Sequence, residues 1–224
     1  MHLVNSDPGG SQIGETVLAC ADAQRRLVDH LAGLTDAQVR QPSLLPGWSV
    51  GHVLTHIARN ADAFSRIVAG AQRGDVEAMY PHGADGRSAD IETGASRSAA
   101  DLVADVTTTG ERLVDLFAQC DEAAWAGSGM TLGGTVSIAE LPARRRGEVE
   151  IHHVDLGIGY SFADWPDDYR RAELAKRTRQ WASRKPMGFT DLPAAALALP
   201  PADRLAWLLG RIEVAGLAPA ELIG

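Results

Sequence analysis

The sequence predicts a mainly α-helical protein, in which a four-helix bundle is followed by a small C-terminal region. Apolar residues recur at intervals of three and four along four long segments, which is the period of one face of a helix. Alanine is abundant and aromatic residues make up only 5% of the chain, a composition that suits helix packing better than a sheet sandwich. Four long amphipathic helices in succession indicate a four-helix bundle.

The first two helices have clear boundaries in the sequence. The first is predicted over 11–34, and its buried face contains Ile13, Val17, Cys20, Ala23, Leu27, Leu31 and Leu34. Thr35 then caps a short helical turn. Ser49 is a favourable N-cap for the second long helix, which we expect to reach about Ala69 before Gly70 ends it.

The middle of the chain predicts a loop, a third helix and a fourth helix. Asp, Gly and Pro are frequent over 74–96 and no apolar period is visible, so a long loop is expected there. The third helix is predicted over 97–120, and a short strand is expected around 130–132. Pro142 predicts a later start or a kink in the fourth helix, and Gly157 closes that helix.

The character of the chain changes after the fourth helix. We predict a metal-binding bundle over 1–160 and a small helical or α+β appendage over 161–224. Within the appendage, a helix is expected over 166–185 and a strand around 195–199. A last helix carries Leu205, Leu208, Leu209 and Ile212.

Composition limits the classes of function. The net charge of −8 argues against non-specific nucleic-acid binding. No basic region followed by an apolar run opens the chain, and no apolar stretch of about 18 residues occurs. We therefore expect a cytoplasmic protein without a membrane partner, acting as a monomer or homodimer. Cys20 and Cys120 lie in apolar helical patterns and are predicted to be core thiols, with a disulfide or a nucleophilic role as the alternatives.

The candidate site is centred on residues 144–155. On a helix, Glu148 and His152 are four residues apart and leave the same face, separated by about 6 Å along the axis. His56, on the second helix, lies at the edge of the buried stripe and faces the bundle interior. Two histidines and one glutamate are the ligands of many catalytic zinc sites, which leave a position open. The sequence therefore predicts a divalent-metal site, with zinc as the first choice and nickel or iron as alternatives.

Four other polar residues have competing interpretations. His52 is an alternative ligand one turn earlier on the second helix. His153 is rotated by roughly 100° from the predicted ligand beside it, so packing or support is expected. Asp155 either orients an imidazole or forms a surface salt bridge. Arg145 shares the ligand face and is predicted to bind a substrate carboxylate, the alternative being a solvated positive face.

Two motifs carry a resemblance to a known family. Leu44–Ser49, followed by Gly51–His56, resembles the second-helix signature of the DinB-like metal-binding bundles. Glu148–Gly157 is similar to the fourth helix of the mycothiol-dependent maleylpyruvate isomerase family, where a Glu-xxx-His motif is followed by Val-Asp-Leu-Gly. The resemblance covers most of 11–185.

The resemblance implies a ligand set and a chemistry. It implies zinc held by His56, Glu148 and His152 with an open fourth position, and it leaves His52 outside the ligand set. It also implies mycothiol as a thiol cofactor or cosubstrate, acting on an electrophilic substrate that bears carboxylates. The expected reaction is cis-trans isomerisation of maleylpyruvate or a related unsaturated acid by reversible thiolate addition.

The family's C-terminal domain contributes an arginine near the active site. The Leu-Gly-Arg segment at 209–211 is similar to the surroundings of that arginine, so Arg211 is the candidate catalytic residue there. The stretch between Lys185 and Asp203 is short, so the second domain is expected to be abbreviated.

Three alternatives stay open at this stage. A mycothiol S-transferase would use the same site without the elimination step. A metal-stabilised binding module would have a closed, four-ligand site and no catalysis. Hydrolysis by zinc-bound water would need a general base near the metal, and the sequence offers no convincing spare carboxylate for that role.

Overall fold

The structure, a computed structural model, describes residues 8–184 and 190–222. It is mainly α-helical, as predicted. The helices are α1 (Pro8–His30), α2 (Asp36–Val39), α3 (Val50–Gln72), α4 (Gly83–Gly94), α5 (Ala99–Ala118), α6 (Glu122–Trp125), α7 (Leu141–Asp155), α8 (Asp167–Ser183), α9 (Ala194–Leu197) and α10 (Pro201–Leu208). The strands are β1 (Ser128–Thr131) and β2 (Gly134–Ser137). The chain divides into two compact units, Met1–Ile158 and Gly159–Gly224.

The first unit is a four-helix bundle of α1, α3, α5 and α7. Helix α3 packs on α5 and α7, and α1 packs on the same two helices, so α1 and α3 lie diagonally across the bundle. One buried apolar cluster includes Leu27, Leu54 and Val149, and a second includes Phe64 and Phe117. Burying each large apolar side chain contributes about 1.5–3 kcal/mol, which makes these clusters the main source of stability.

Helix α3 positions one side of the candidate site. A capping box and a close backbone contact both fix the position of its first turn. The Ser49 side chain accepts a hydrogen bond from the His52 backbone, and the His52 side chain returns to the Ser49 backbone, which completes a capping box. A Cβ atom on Gly51 would lie 2.3 Å from the Ala95 carbonyl oxygen, so only glycine allows this close approach. The helix runs to Gln72, three residues beyond the predicted end.

Helix α4 replaces much of the loop that the sequence predicted over 74–96. This prediction is wrong for residues 83–94, which form three turns of helix packed on α3. Ile91 is the only fully buried residue of α4, so the helix shows no apolar period that sequence analysis could detect. The segment matters because it brings Arg87 to the site.

Helix α7 positions the other side of the candidate site. A 3₁₀ turn over Ile138–Glu140 precedes it, and Pro142 lies in its first turn, where the missing N–H costs nothing. The later start is therefore confirmed, and the proline produces no kink. Gly157, with φ of +68°, follows the helix in the left-handed conformation that commonly ends helices.

A small antiparallel hairpin precedes α7 in the first unit. Strands β1 and β2 pair from Ser128 opposite Ser137 to Thr131 opposite Gly134. The strand expected around 130–132 therefore exists as part of a hairpin that the sequence did not predict in full. Gly134 has φ of +111°, which suits the tight turn.

The second unit is built from α8, α9 and α10. Trp181 and Trp207 form its centre, with ring centroids 5.2 Å apart, and Leu208 is fully buried with them. The strand expected around 195–199 is wrong, because Ala194–Leu197 forms α9. A run of alanines after Pro193 favours this helical turn, and the unit contains no strand within residues 159–184 and 190–222.

Two further expectations concern cysteine and the membrane. Cys20 and Cys120 are both free thiols. Cys20 is buried, and burial raises its pKa to about 11, which leaves it protonated and disfavours a nucleophilic role. Among the described residues, no helix combines the length and the apolar character needed to cross a bilayer.

Candidate metal centre

Three predicted ligands converge between α3 and α7. His56 Nε2 lies 2.9 Å from His152 Nε2 and 3.2 Å from Glu148 Oε2. His152 Nε2 lies 3.6 Å from the same carboxylate oxygen. The bundle thus brings together one residue of α3 and two of α7 that are one turn apart.

The donor set fits a divalent cation. Ligand atoms on a tetrahedral zinc ion, with bonds of about 2.0–2.1 Å, lie about 3.3 Å from one another. The three observed separations bracket that value. Two imidazole nitrogens and a carboxylate oxygen also form a donor set typical of zinc.

The three side chains differ in exposure, which leaves one side of the group open. The side chains of His56 and His152 are 6% and 13% exposed, whereas that of Glu148 is 34% exposed. Among the residues that the structure describes, no fourth His, Cys, Asp or Glu joins the group. Three ligands and an open side are the arrangement of catalytic rather than structural zinc sites.

The electrostatics favour a lone pair on His56 and a negative charge on Glu148. Burial, followed by the neighbouring His152, lowers the pKa of His56 to about 4, against the opposing influence of Glu148. The pKa of Glu148 falls to about 2: burial raises it, but the hydrogen bond with His56 and the charges of His56, His152 and Arg145 together outweigh burial. At neutral pH His56 is therefore uncharged and Glu148 is ionised, which are the charge states that metal binding requires.

Two neighbours hold His56 in place. The Trp48 ring packs edge-on against the imidazole, with centroids 5.7 Å apart. Arg87 Nη2, from α4, lies 3.0 Å from His56 Nδ1. Arginine can only donate, so Nδ1 accepts this bond and carries no proton. A metal on Nε2 would place the proton on Nδ1, so metal binding requires Arg87 to turn away.

Asp155 lies behind the second histidine. Its Oδ2 is 2.9 Å from His152 Nδ1, although the angle at the nitrogen is not that of a hydrogen bond. Asp155 is only 1% exposed, which rules out the surface salt bridge as an interpretation. A carboxylate behind a ligand imidazole fixes the ring orientation and makes the free nitrogen more basic.

His52 lies outside the group. Its Nδ1 is 2.7 Å from Ser49 Oγ, its Nε2 is 3.3 Å from Glu92 Oε2, and its ring stacks on Trp48. His52 therefore serves the N-terminus of α3. His153 points away as well: its Nε2 lies 2.8 Å from His30 Nδ1.

Arg145 is not positioned as predicted for contact with a substrate. It is 1% exposed, and it donates to the Ile57 carbonyl at 2.8 Å, to Asn60 Oδ1 at 2.8 Å and to Gln24 Oε1 at 3.2 Å. The geometry gives no support to carboxylate binding by Arg145. It supports a structural role beneath the site, where the positive charge helps to keep Glu148 ionised.

Arg211, the other predicted catalytic arginine, belongs to the second unit. It follows Gly210, whose φ of +68° ends α10, and its backbone N–H donates to the Ala206 carbonyl. Its side chain is half-buried and donates to the Leu209 carbonyl at 3.1 Å. The catalytic role of Arg211 stays a prediction.

Sequence reasoning missed Arg87. It lies in the segment predicted as a loop, and the local sequence contains no apolar period or spacing that would connect it to His56. Trp48, which directly precedes the Ser49 N-cap, packs on two histidines of α3.

Known proteins resemble this chain in sequence pattern and in fold. A family model described as the mycothiol maleylpyruvate isomerase N-terminal domain matches residues 20–157, more than half of the chain. Two solved structures, of the mycothiol-dependent maleylpyruvate isomerase and of a histidine-to-alanine mutant of it, align with a TM-score of 0.78. Each is 24% identical, and each alignment covers 94% of this chain and 92% of the other. No curated protein matches the chain significantly. The two structures share the fold, and the family match shows that the chain belongs to the mycothiol maleylpyruvate isomerase N-terminal domain family.

Proposed function

We propose that this protein is a zinc-dependent enzyme that uses mycothiol to isomerise maleylpyruvate or a related cis-unsaturated acid. The observation that carries the proposal is the convergence of His56, Glu148 and His152 with one side open, in a chain of this family. Zinc, when bound, would supply a Lewis acid that lowers the pKa of a thiol toward neutral pH.

The residues of the chain prepare the site for that chemistry. His56 is uncharged and Glu148 is ionised at neutral pH, so neither group repels a cation. The Asp155 carboxylate lies 2.9 Å from His152 Nδ1, and the Trp48 ring packs edge-on against His56. In this proposal, a thiol and an electrophile enter from the side on which Glu148 is exposed.

The proposed reaction needs no oxidant or reductant. Addition of the thiol across the cis double bond leaves a single bond that rotates, and elimination of the same thiol returns the trans isomer. A mycothiol S-transferase would stop after addition. The three-ligand, open geometry favours either reaction over a closed structural site.

The test is metal content and thiol binding in wild type and in His56→Ala. We expect near-stoichiometric zinc and mycothiol binding by calorimetry in wild type, with both lost in the variant. Arg144→Gln is a matched control, because Arg144 is exposed and its ion pair is with Glu140 on the outer surface of α7. Turnover of maleylpyruvate by the zinc-loaded wild type then separates isomerase from S-transferase. Zinc without thiol binding would contradict the proposal.

A further inference from the structure

A cleft of about 530 Å³ adjoins the candidate metal centre within the first unit. It lies between α3, α5 and the segment from Met79 to Asp90. Its volume is within the range of small-molecule sites. Four lining residues are arginines and two are aspartates, so the lining is positive in a chain whose net charge is −8.

The arginines that line the cleft differ in whether they form ion pairs with carboxylates. Arg59 lies 2.6 Å from Asp105 and 3.0 Å from Asp62, and Arg112 shares Asp62. Arg66 is exposed and has no ion-pair partner among residues 8–184 and 190–222. The cleft therefore holds an uncompensated guanidinium, whose planar donors match a carboxylate.

Two buried donors of the lining also lack partners. Ser65 is 5% exposed, and its hydroxyl has no hydrogen-bond partner within the described part of the chain. The Nε atom of Arg59 is buried and equally unpartnered there. Buried polar atoms are almost always hydrogen-bonded, so these two donors indicate an acceptor that the described part of the chain does not supply.

The cleft is connected to the metal centre through α3 and α4. Residues 56, 59, 63 and 66 are spaced by three and four along α3 and share one face of the helix. Arg87 lines the cleft and also contacts His56 Nδ1 at 3.0 Å. Arg87 therefore lies between the cleft and the nearest metal ligand, His56.

We propose that this cleft binds the carboxylate end of the electrophilic substrate, with Arg66 as the principal anchor and the Ser65 hydroxyl as a second donor. The substrate class is a small organic acid with two carboxylates. This inference rests on the proposed function for the identity of the substrate, but the anion site itself depends only on the cleft.

Maleate, an unreactive cis-dicarboxylate in the absence of thiol, is the probe. Calorimetric titration of the metal-free protein should show one site, weakened at least about tenfold in Arg66→Gln and about threefold in Ser65→Ala. Arg144→Gln, which removes an arginine outside the cleft, should bind maleate as wild type does. Inorganic phosphate in a parallel titration should bind more weakly than maleate.

The outcomes separate the two proposals. Undiminished maleate binding by Arg66→Gln, no binding by wild type, or tighter binding of phosphate would each overturn the cleft assignment. Zinc and mycothiol binding by Arg66→Gln should equal that of wild type. Failure of zinc or thiol binding in wild type would instead contradict the proposed function and leave the maleate result standing.

Discussion

Helix α7 carries two acid–histidine pairs on different faces, and they behave differently. Glu148 and His152 face α3 and meet a third potential ligand, His56. Glu150 and His153 face α1, where Glu150 pairs with Arg26 and lies 3.8 Å from Arg146. Glu150 is 1% exposed, far more buried than Glu148 at 34%.

The comparison shows that burial of a carboxylate does not identify a metal site. The charge of Glu150 is met by arginines of α1 and α7, as a buried charge requires. Glu148 lies within ion-pair distance of the imidazoles of His56 and His152, and among the described residues no arginine forms an ion pair with it. The α1-facing side of α7 supplies arginines to its glutamate, whereas the α3-facing side supplies imidazoles. Only the second arrangement leaves the carboxylate charge for a bound cation to balance.

The largest expected effect is a difference in zinc affinity between variants of the adjacent residues His152 and His153. His152→Ala removes a predicted ligand and should weaken zinc binding by more than about 100-fold, beyond the 10–100-fold loss typical of residues that only support a ligand. His153→Ala removes a contact with His30 on the other face and should change zinc affinity by less than about threefold. Competition with a chromogenic chelator measures both. Equal losses would show that the two faces are not functionally distinct.

The next effect concerns the two glutamates. Glu150→Gln leaves Arg26 facing a neutral amide and should lower the free energy of unfolding by about 2–3 kcal/mol, below the value for fully buried pairs because Arg26 is 37% exposed. Glu148→Gln should lower the stability of the metal-free protein by less than Glu150→Gln does, because Glu148 is 34% exposed, while it weakens zinc binding. Urea denaturation of metal-free samples tests this contrast. A larger stability loss in Glu148→Gln would reverse the assignment of the two faces.

Acid should destabilise the metal-free protein because His56 and Glu148 have lowered pKa values in the folded state. The folded-state pKa of His56 is lowered to about 4 from 6.5, so between these values the unfolded chain binds the extra proton. Stability therefore rises with pH over that window and is lost on acidification, by at most about 3 kcal/mol. The lowered pKa of Glu148, about 2, extends the loss below pH 4.5. Urea midpoints between pH 4 and 7.5 measure the slope, which should be shallower in His56→Ala.

The same comparison explains what could be predicted from sequence. Glu148 and His152 were found because helical spacing of four fixes their shared face, and His56 because a histidine at the edge of an apolar stripe points inward. Arg145 shares a face with Glu148 by the same spacing, yet it lies among Gln24, Ile57 and Asn60, because spacing does not give depth in the bundle.

Two features near the site could not be predicted from the sequence. The position of Arg87 depends on α4, a helix with one buried apolar residue, which leaves no period in the sequence. The Ser65 hydroxyl lacks a partner within the described residues, and that can be recognised only from the folded structure. The mainly α fold and the long helices could be predicted because apolar spacing and capping residues are properties of local sequence. The strand expected around 195–199 failed because an alanine run after proline is intrinsically better suited to a helical turn.

The smallest expected effect tests whether Arg87 opposes the metal. Its guanidinium donates to His56 Nδ1, the nitrogen that must carry the proton when Nε2 binds a cation, and it adds a positive charge next to the site. Arg87→Gln can accept as well as donate at Nδ1, so zinc affinity should rise by about three- to tenfold, equivalent to roughly 1 kcal/mol. Arg144→Gln, which removes the same charge from an exposed pair with Glu140, should leave the affinity unchanged. A fall in affinity in Arg87→Gln would mean that Arg87 holds His56 in its binding orientation more than it repels the metal, and α4 would then be part of the support for the site.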